Sequence, residues 1–166
     1  MQEFIENRTY DEIQIGESAS LTRTIREQDI QLFAALSGDI NPAHLDAEYA
    51  RSTPFGDVIA HGMLGGALIS TVLGTQLPGP GTIYVDQQIR FSRPVKIGDT
   101  LTVTLTCKEK SDEKKRVILD CVVTNQDGKA VIRGMAEVIA PSEKIRRPKV
   151  KLPTTTINGT VYMPKS

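Results

Sequence analysis

An excess of either charge is missing from this sequence: 20 Lys and Arg stand against 20 Asp and Glu in 166 residues. Without a net field there is no global attraction for nucleic acid or for an anionic membrane, so any recognition of charge must be local. Long apolar runs are missing too. The longest nearly uncharged stretch, Met63 to Leu77, falls short of the roughly 18 to 20 residues that cross a bilayer, and it reads as a buried helix. Cysteine is scarce. Cys107 and Cys121 lie in strand-like segments with no CxxC spacing and no histidine nearby, which argues against a zinc or dithiol motif and leaves two small core hydrophobes. The N-terminus, MQEFIENRTYDEIQIG, carries acidic and amide residues where a secretory leader has basic ones, and no apolar region follows. A cytoplasmic location is therefore expected, and the Asn-x-Thr triplets at Asn7 and Asn158 carry no weight as glycosylation sites.

What is present fits one domain, large enough to bury a core without disulfides or a structural metal. ESASLTRTIR (17–26) reads as a strand, and REQDIQLFAALSG (26–38) spaces Ile30, Phe33 and Ala34 as a helix that stops at Gly38. Asn41 and Pro42 supply an N-cap residue followed by the residue type favoured at the first helical position, and PAHLDAEYARS continues as a helix with His44 in its first turn. HGMLGGALISTVLG (61–74) contains no charged side chain, so it should be the central helix, buried on every side. Gly62, Gly65 and Gly66 weaken it by about 1 kcal/mol each relative to Ala. Glycine there implies close approach of another backbone or of a ligand. PGPG (78–81) ends the element.

The remainder is strand: 82–95, 99–108, 117–124 and 129–140, each alternating apolar with polar residues, with KSDEKKR and Asn125 to Gly128 as turns. The expectation is an α+β domain in which an antiparallel meander of about five strands curls round the apolar helix. Residues 141–166, rich in Pro, Lys, Arg and Thr and without hydrophobic period, read as a basic tail or linker after a 1–140 domain.

Both histidines, His44 and His61, fall within eighteen residues of each other, and the one dense run of Gly, Asp, Asn, Pro and His surrounds the first. An Asp five residues before a His at a helix start is, taken alone, most often a capping arrangement. The same pair has a chemical reading. A helix N-terminus carries roughly half a positive charge, which favours the carboxylate of Asp39 and a neutral imidazole in His44. A carboxylate and a neutral imidazole sharing one water can draw its proton and relay another to a substrate.

S-G-D-I-N-P-A-H, residues 37–44, resembles the signature of the MaoC-like, R-specific enoyl-CoA hydratases. Phe33 upstream, Ala50 at the small-residue end, AHGM (60–63) and FSRPVKIGD (91–99) extend the resemblance over roughly residues 8 to 140. Ala43 departs from the larger aliphatic usual in the family, which touches local packing only. The resemblance implies a hot-dog fold, with the apolar helix inside the curled sheet, in a homodimer or a higher assembly of dimers. It implies reversible syn hydration of trans-2-enoyl-CoA to (R)-3-hydroxyacyl-CoA. Asp39 and His44 would bind and activate the water, and the Gly62 N–H would hold the thioester carbonyl. No metal or redox cofactor is implied, since CoA is part of the substrate.

Asn41 is expected either to orient the catalytic loop or simply to cap a helix, and His61 either to touch substrate or to be structural. Arg90, Arg93 and Lys96 suit CoA phosphates and strand-edge solvation equally, and stay outside the predicted site. Hot-dog thioesterases rely on a carboxylate on or beside the central helix, and GMLGGALISTVLG has none. A thioesterase and a non-catalytic acyl-thioester-binding module are therefore the alternatives. Some proteins similar to this one continue past a comparable tail into a phosphate acetyl- or butyryltransferase domain; no transferase activity is assigned to these 166 residues.

Overall fold

Alternation of Leu and Val with Thr in DTLTVTLTC has the consequence expected of a pleated strand: Leu101, Val103, Leu105 and Cys107 are buried, while the threonines line the other face. The computed structural model describes residues 1–166. In chain order the elements are β1 (Phe4–Glu6), β2 (Ser18–Thr24), α1 (Glu27–Ser37), α2 (Pro42–Leu45), α3 (Ala47–Ser52), α4 (Gly62–Thr75), β3 (Ile83–Phe91), β4 (Thr100–Ser111), β5 (Arg116–Thr124), β6 (Ala130–Ile139), β7 (Arg146–Pro148), β8 (Thr156–Ile157) and β9 (Thr160–Val161). Five strands form one antiparallel sheet in the order β2-β4-β5-β6-β3. Ile69, Val72 and Leu73 of α4 are 0–1% exposed, in one apolar cluster with the inward residues of β4, β5 and β6. This is the α+β hot-dog arrangement. Hydroxyl pairs Thr22–Thr102 and Thr24–Thr100 cross from β2 to β4 at 3.4 and 2.9 Å on the outer face.

Three expectations are corrected. The sheet is a meander only from β4 to β6, because β3 pairs with β6 and lies at the opposite edge from β2. A β3–β4 hairpin needs a tight turn, whereas residues 92–99 form a crossing link. Pro94 has no N–H to give a ladder, Val95 accepts from the Ala60 N–H and Lys96 bridges Ile59. The helix read through PAHLDAEYARS is two helices. Asp46 breaks it in an extended conformation (φ −116°, ψ 102°) and its carboxylate accepts the Tyr49 N–H at 3.0 Å to start α3. Finally, α4 is not covered all round: Met63, Ala67, Ser70, Thr71 and Gly74 are exposed along one face.

Its glycines make room, but for side chains rather than another backbone. A Cβ at Gly65 would lie 2.4 Å from Ile132 Cδ1, and one at Gly62 would lie 2.9 Å from the Phe91 ring. The tightest approach in the sheet is elsewhere. A Cβ on Gly134 of β6 would sit 1.9 Å from the Gln88 carbonyl oxygen and 3.3 Å from Ile89 Cα, both backbone atoms of β3. Nothing there can rotate away. Gly134→Ala is expected to pry β3 from β6 and cost about 2–3 kcal/mol, typical of overpacking, which lowers the melting temperature by roughly 5–10 °C in a domain of this size. A thermal melt within 2 °C of the parent would overturn that account of Gly134.

Cys107 and Cys121 are free and fully buried. Burial pushes both thiols up, that of Cys121 to about 11, so both stay protonated and unreactive.

Residues 141–166 run back over the body. β7 pairs with β1, and the fully buried Asn7 side chain holds that corner by donating to Pro80 and Glu143 carbonyls and accepting the Ile145 N–H. β8 and β9 turn at Asn158 and Gly159, both with positive φ. Beyond them the Tyr162 hydroxyl donates to the buried Asp29 carboxylate and accepts from Arg23. Burial, and then that bond to Asp29, pushes the phenol up to about 12. These are specific polar contacts, so the segment needs no hydrophobic period to lie in place.

Candidate active site

The site is assembled where α1 stops. Gly38 adopts a left-handed conformation (φ 76°) and returns its N–H to Ala34. The Ser37 hydroxyl donates to the Phe33 carbonyl at 2.7 Å and accepts the Asp39 N–H at 3.2 Å. Two successive side-chain turns follow: Asp39 Oδ1 accepts the Asn41 N–H at 3.1 Å, and Asn41 Oδ1 accepts the Ala43 N–H at 3.0 Å. Asn41 therefore caps α2, and through α2 sets the position of His44.

His44 Nδ1 lies 2.7 Å from the Ile59 carbonyl oxygen. A carbonyl only accepts, so Nδ1 carries the proton and Nε2 is the basic atom of the neutral ring. This partner has no side-chain signal in the sequence; it comes from the extended segment before α4. One ligating atom from each of Asp39, His44 and His61 falls within 4.8 Å of the other two. The Asp39 side chain is 50% exposed and the His61 side chain 3%.

Those three groups have the residue types of a metal site, but the rings do not suit one. His44 and His61 are stacked, with centroids 3.8 Å apart and planes 28° apart. Imidazole lone pairs lie in the ring planes, so stacked rings direct them side by side instead of converging on one ion.

His61 immediately precedes α4, in an extended conformation (φ −57°, ψ 134°). Gly62 is the first helical residue, where an N–H has no partner within its own helix, and no other group of the chain accepts from it. Gly62 and His44 both line a cavity of about 310 Å³, with Phe91, Arg93, Ile132 and His61 among its other walls. Asp39 is not among the lining residues but neighbours two of them, His44 and His61. Thus one cavity brings together an imidazole with a free nitrogen, a neighbouring carboxylate and an unused N–H at the head of a helix. That arrangement can activate a water on one side of a bound molecule and stabilise a negative oxygen on the other.

Of the residues kept outside the predicted site, Arg93 lines the cavity and donates to the Ala130 carbonyl. Arg90 faces solvent, directly opposite Arg133 across the β3–β6 ladder. Phe91 and Ile132 were missed as cavity walls. FSRPV is recognisable as a sheet entry, but its first ring meets Gly62 only once β3 takes the edge beside β6.

Residues 11–127 match the MaoC like domain family. An (R)-specific enoyl-CoA hydratase of Rhodospirillum rubrum is 52% identical over 80% of this chain and 92% of its own length. One from Aeromonas caviae is 37% identical over 78% of this chain and 96% of its own. Among solved structures, R-hydratase PhaJ1 from Pseudomonas aeruginosa in its unliganded form superposes with a TM-score of 0.90 and 51% identity, over 94% of this chain and 100% of that one. On these matches the chain belongs to the MaoC-like domain family.

Proposed function

We propose that this chain is a cytoplasmic lyase that reversibly hydrates trans-2-enoyl-CoA to (R)-3-hydroxyacyl-CoA, with Asp39 and His44 activating the water and the Gly62 N–H holding the thioester carbonyl. The observation that carries the reading is the shared cavity: His44, with its Nε2 free and Asp39 as its neighbour, and Gly62, with an unpartnered N–H, line the same wall. Water adds at C3 when the enolate-like charge on the thioester oxygen is stabilised, and a fixed N–H at a helix head supplies that stabilisation without reorganisation. The hydroxyl goes to C3 and a proton to C2, so hydration consumes one water and no redox equivalent. Neither a metal nor a cofactor takes part, CoA being part of the substrate. An enoyl-CoA hydratase is also what the named relatives support.

The test is loss of enoyl absorbance with crotonyl-CoA, followed by chiral analysis of the product. An R-3-hydroxybutyryl product is expected. Release of free thiol, or an S product, rejects the reading in favour of a thioesterase or a different lyase.

The working unit is a homodimer. β3 is an edge strand whose Ile83, Tyr84, Val85 and Phe91 are 41–57% exposed, and the uncovered face of α4 carries Met63 at 56%. An exposed apolar edge is a template for pairing, and edge-to-edge joining of two β3 strands would cover it. Sedimentation velocity should give twice the chain mass, and Tyr84→Lys with Val85→Lys should weaken association at least about tenfold. A monomer in the parent protein sinks this assignment.

A further inference from the structure

We propose that His61 is a positioning residue for the catalytic pair: its Nε2–H holds the backbone of Asp39, and its ring is the surface on which His44 is stacked. This rests on the hydratase reading above. His61 is 4% exposed and lies between two rings, with Phe33 at a centroid distance of 4.9 Å and His44 at 3.8 Å. Its Nε2 is 3.1 Å from the Asp39 carbonyl oxygen and 4.0 Å from Asp39 Oδ2. Since a carbonyl only accepts, Nε2 is the protonated nitrogen, and it spans the twenty-two residues between the two segments that bear the site.

Helix capping and packing do not account for this residue. Although it precedes α4, its side chain makes no capping hydrogen bond. Its Nδ1 is buried without any partner, a cost that an apolar ring of similar size would avoid. What a phenyl ring cannot supply is the Nε2–H. That donor reaches the main chain of Asp39, whose own side chain orders Asn41 and hence α2 and His44. His61 therefore fixes both members of the pair from one buried point: Asp39 through its carbonyl, His44 through its ring face. Its ring is part of the cavity wall, but its nitrogens are not offered to the substrate: Nδ1 is buried and Nε2 faces Asp39.

Two measurements decide it. With two histidines in the chain, long-range proton–nitrogen correlation spectra of the neutral rings can be assigned directly by comparison with His44→Ala. His44 should carry its proton on Nδ1 and His61 on Nε2. A His61 ring protonated on Nδ1 overturns the proposal, whatever the enzyme's activity. In kinetics with crotonyl-CoA, His61→Phe keeps a ring but loses the donor. It should lower kcat about 100-fold, the scale of an ångström-level misplacement, with KM within about twofold of the parent. His61→Gln returns an N–H at a similar reach and should recover most of that loss. Wild-type kcat in His61→Phe, a loss falling on KM alone, or no recovery in His61→Gln overturns it. If His61→Phe does not fold, the wild-type spectra and His61→Gln, expected near parental kcat, still decide. Full activity in His61→Phe while Asp39→Asn is inactive sinks this inference alone; full activity in both sinks the hydratase reading.

Discussion

Asp39→Asn and His44→Ala are each expected to lower turnover of crotonyl-CoA by about 100- to 10,000-fold, the range associated with loss of a general acid or base. The two substitutions are matched to the local structure. Asn at position 39 keeps an oxygen in reach of the Asn41 N–H, which Asp39 Oδ1 now accepts at 3.1 Å, so the turn survives while the carboxylate charge is lost. At position 44, Ala retains helix propensity in α2 and removes the nitrogen held in register by the Ile59 carbonyl. Because both residues are at or near the surface, with Asp39 50% exposed, unfolding is not the expected cause, and a melt close to the parent's is the control. If the groups act on one water, the double variant should be little worse than the weaker single variant, since residues working as a unit are non-additive. Parental turnover in either single variant would remove it from the catalytic assignment.

How much of this site was legible in the sequence follows from how local each feature is. Gly38, Asn41 and Pro42 impose their conformations on immediate neighbours, so the stop of α1 and the start of α2 are written in adjacent residues. The alternation of β4 to β6 reveals which face is buried, because side-chain period is a local property. It does not reveal the partner strand. Apolar residues of β3 alternate just as well for an edge as for a centre, and its place beside β6 depends on the crossing link from Ser92 to Asp99. Three features of the site inherit that non-local step: Phe91 against Gly62, Ile132 against Gly65, and the Ile59 carbonyl that sets the His44 tautomer. His61 is the sharpest example. By sequence it is a residue before a helix, while its buried ring contacts come from α1 and α2. The strap through Tyr162 was illegible for a related reason, since its polar contacts to Arg23 and Asp29 span more than 130 residues and leave no period behind.

Gly62→Pro should reduce kcat on crotonyl-CoA by about 100- to 1,000-fold, the effect of removing one oxyanion donor, while α4 remains intact. Proline is ordinarily ruinous in a helix, but Gly62 is the first helical residue, where proline's fixed φ is compatible and no intrahelical bond is lost. The residue before it must be extended, and His61 already is, at φ −57° and ψ 134°. What disappears is the unpartnered N–H of a residue that lines the cavity. The added ring also brings carbon near Phe91, where a Cβ would lie 2.9 Å from Cε1, so a steric effect must be separated from the chemical one. Gly62→Ala does so: it makes the same contact with Phe91 and keeps the N–H. A large kcat loss in the proline variant with a small one in the alanine variant assigns the effect to the donor. Equal losses in both would mean that Phe91 had been displaced into the cavity, and the Gly62 N–H would lose its role as the group that stabilises the thioester oxygen.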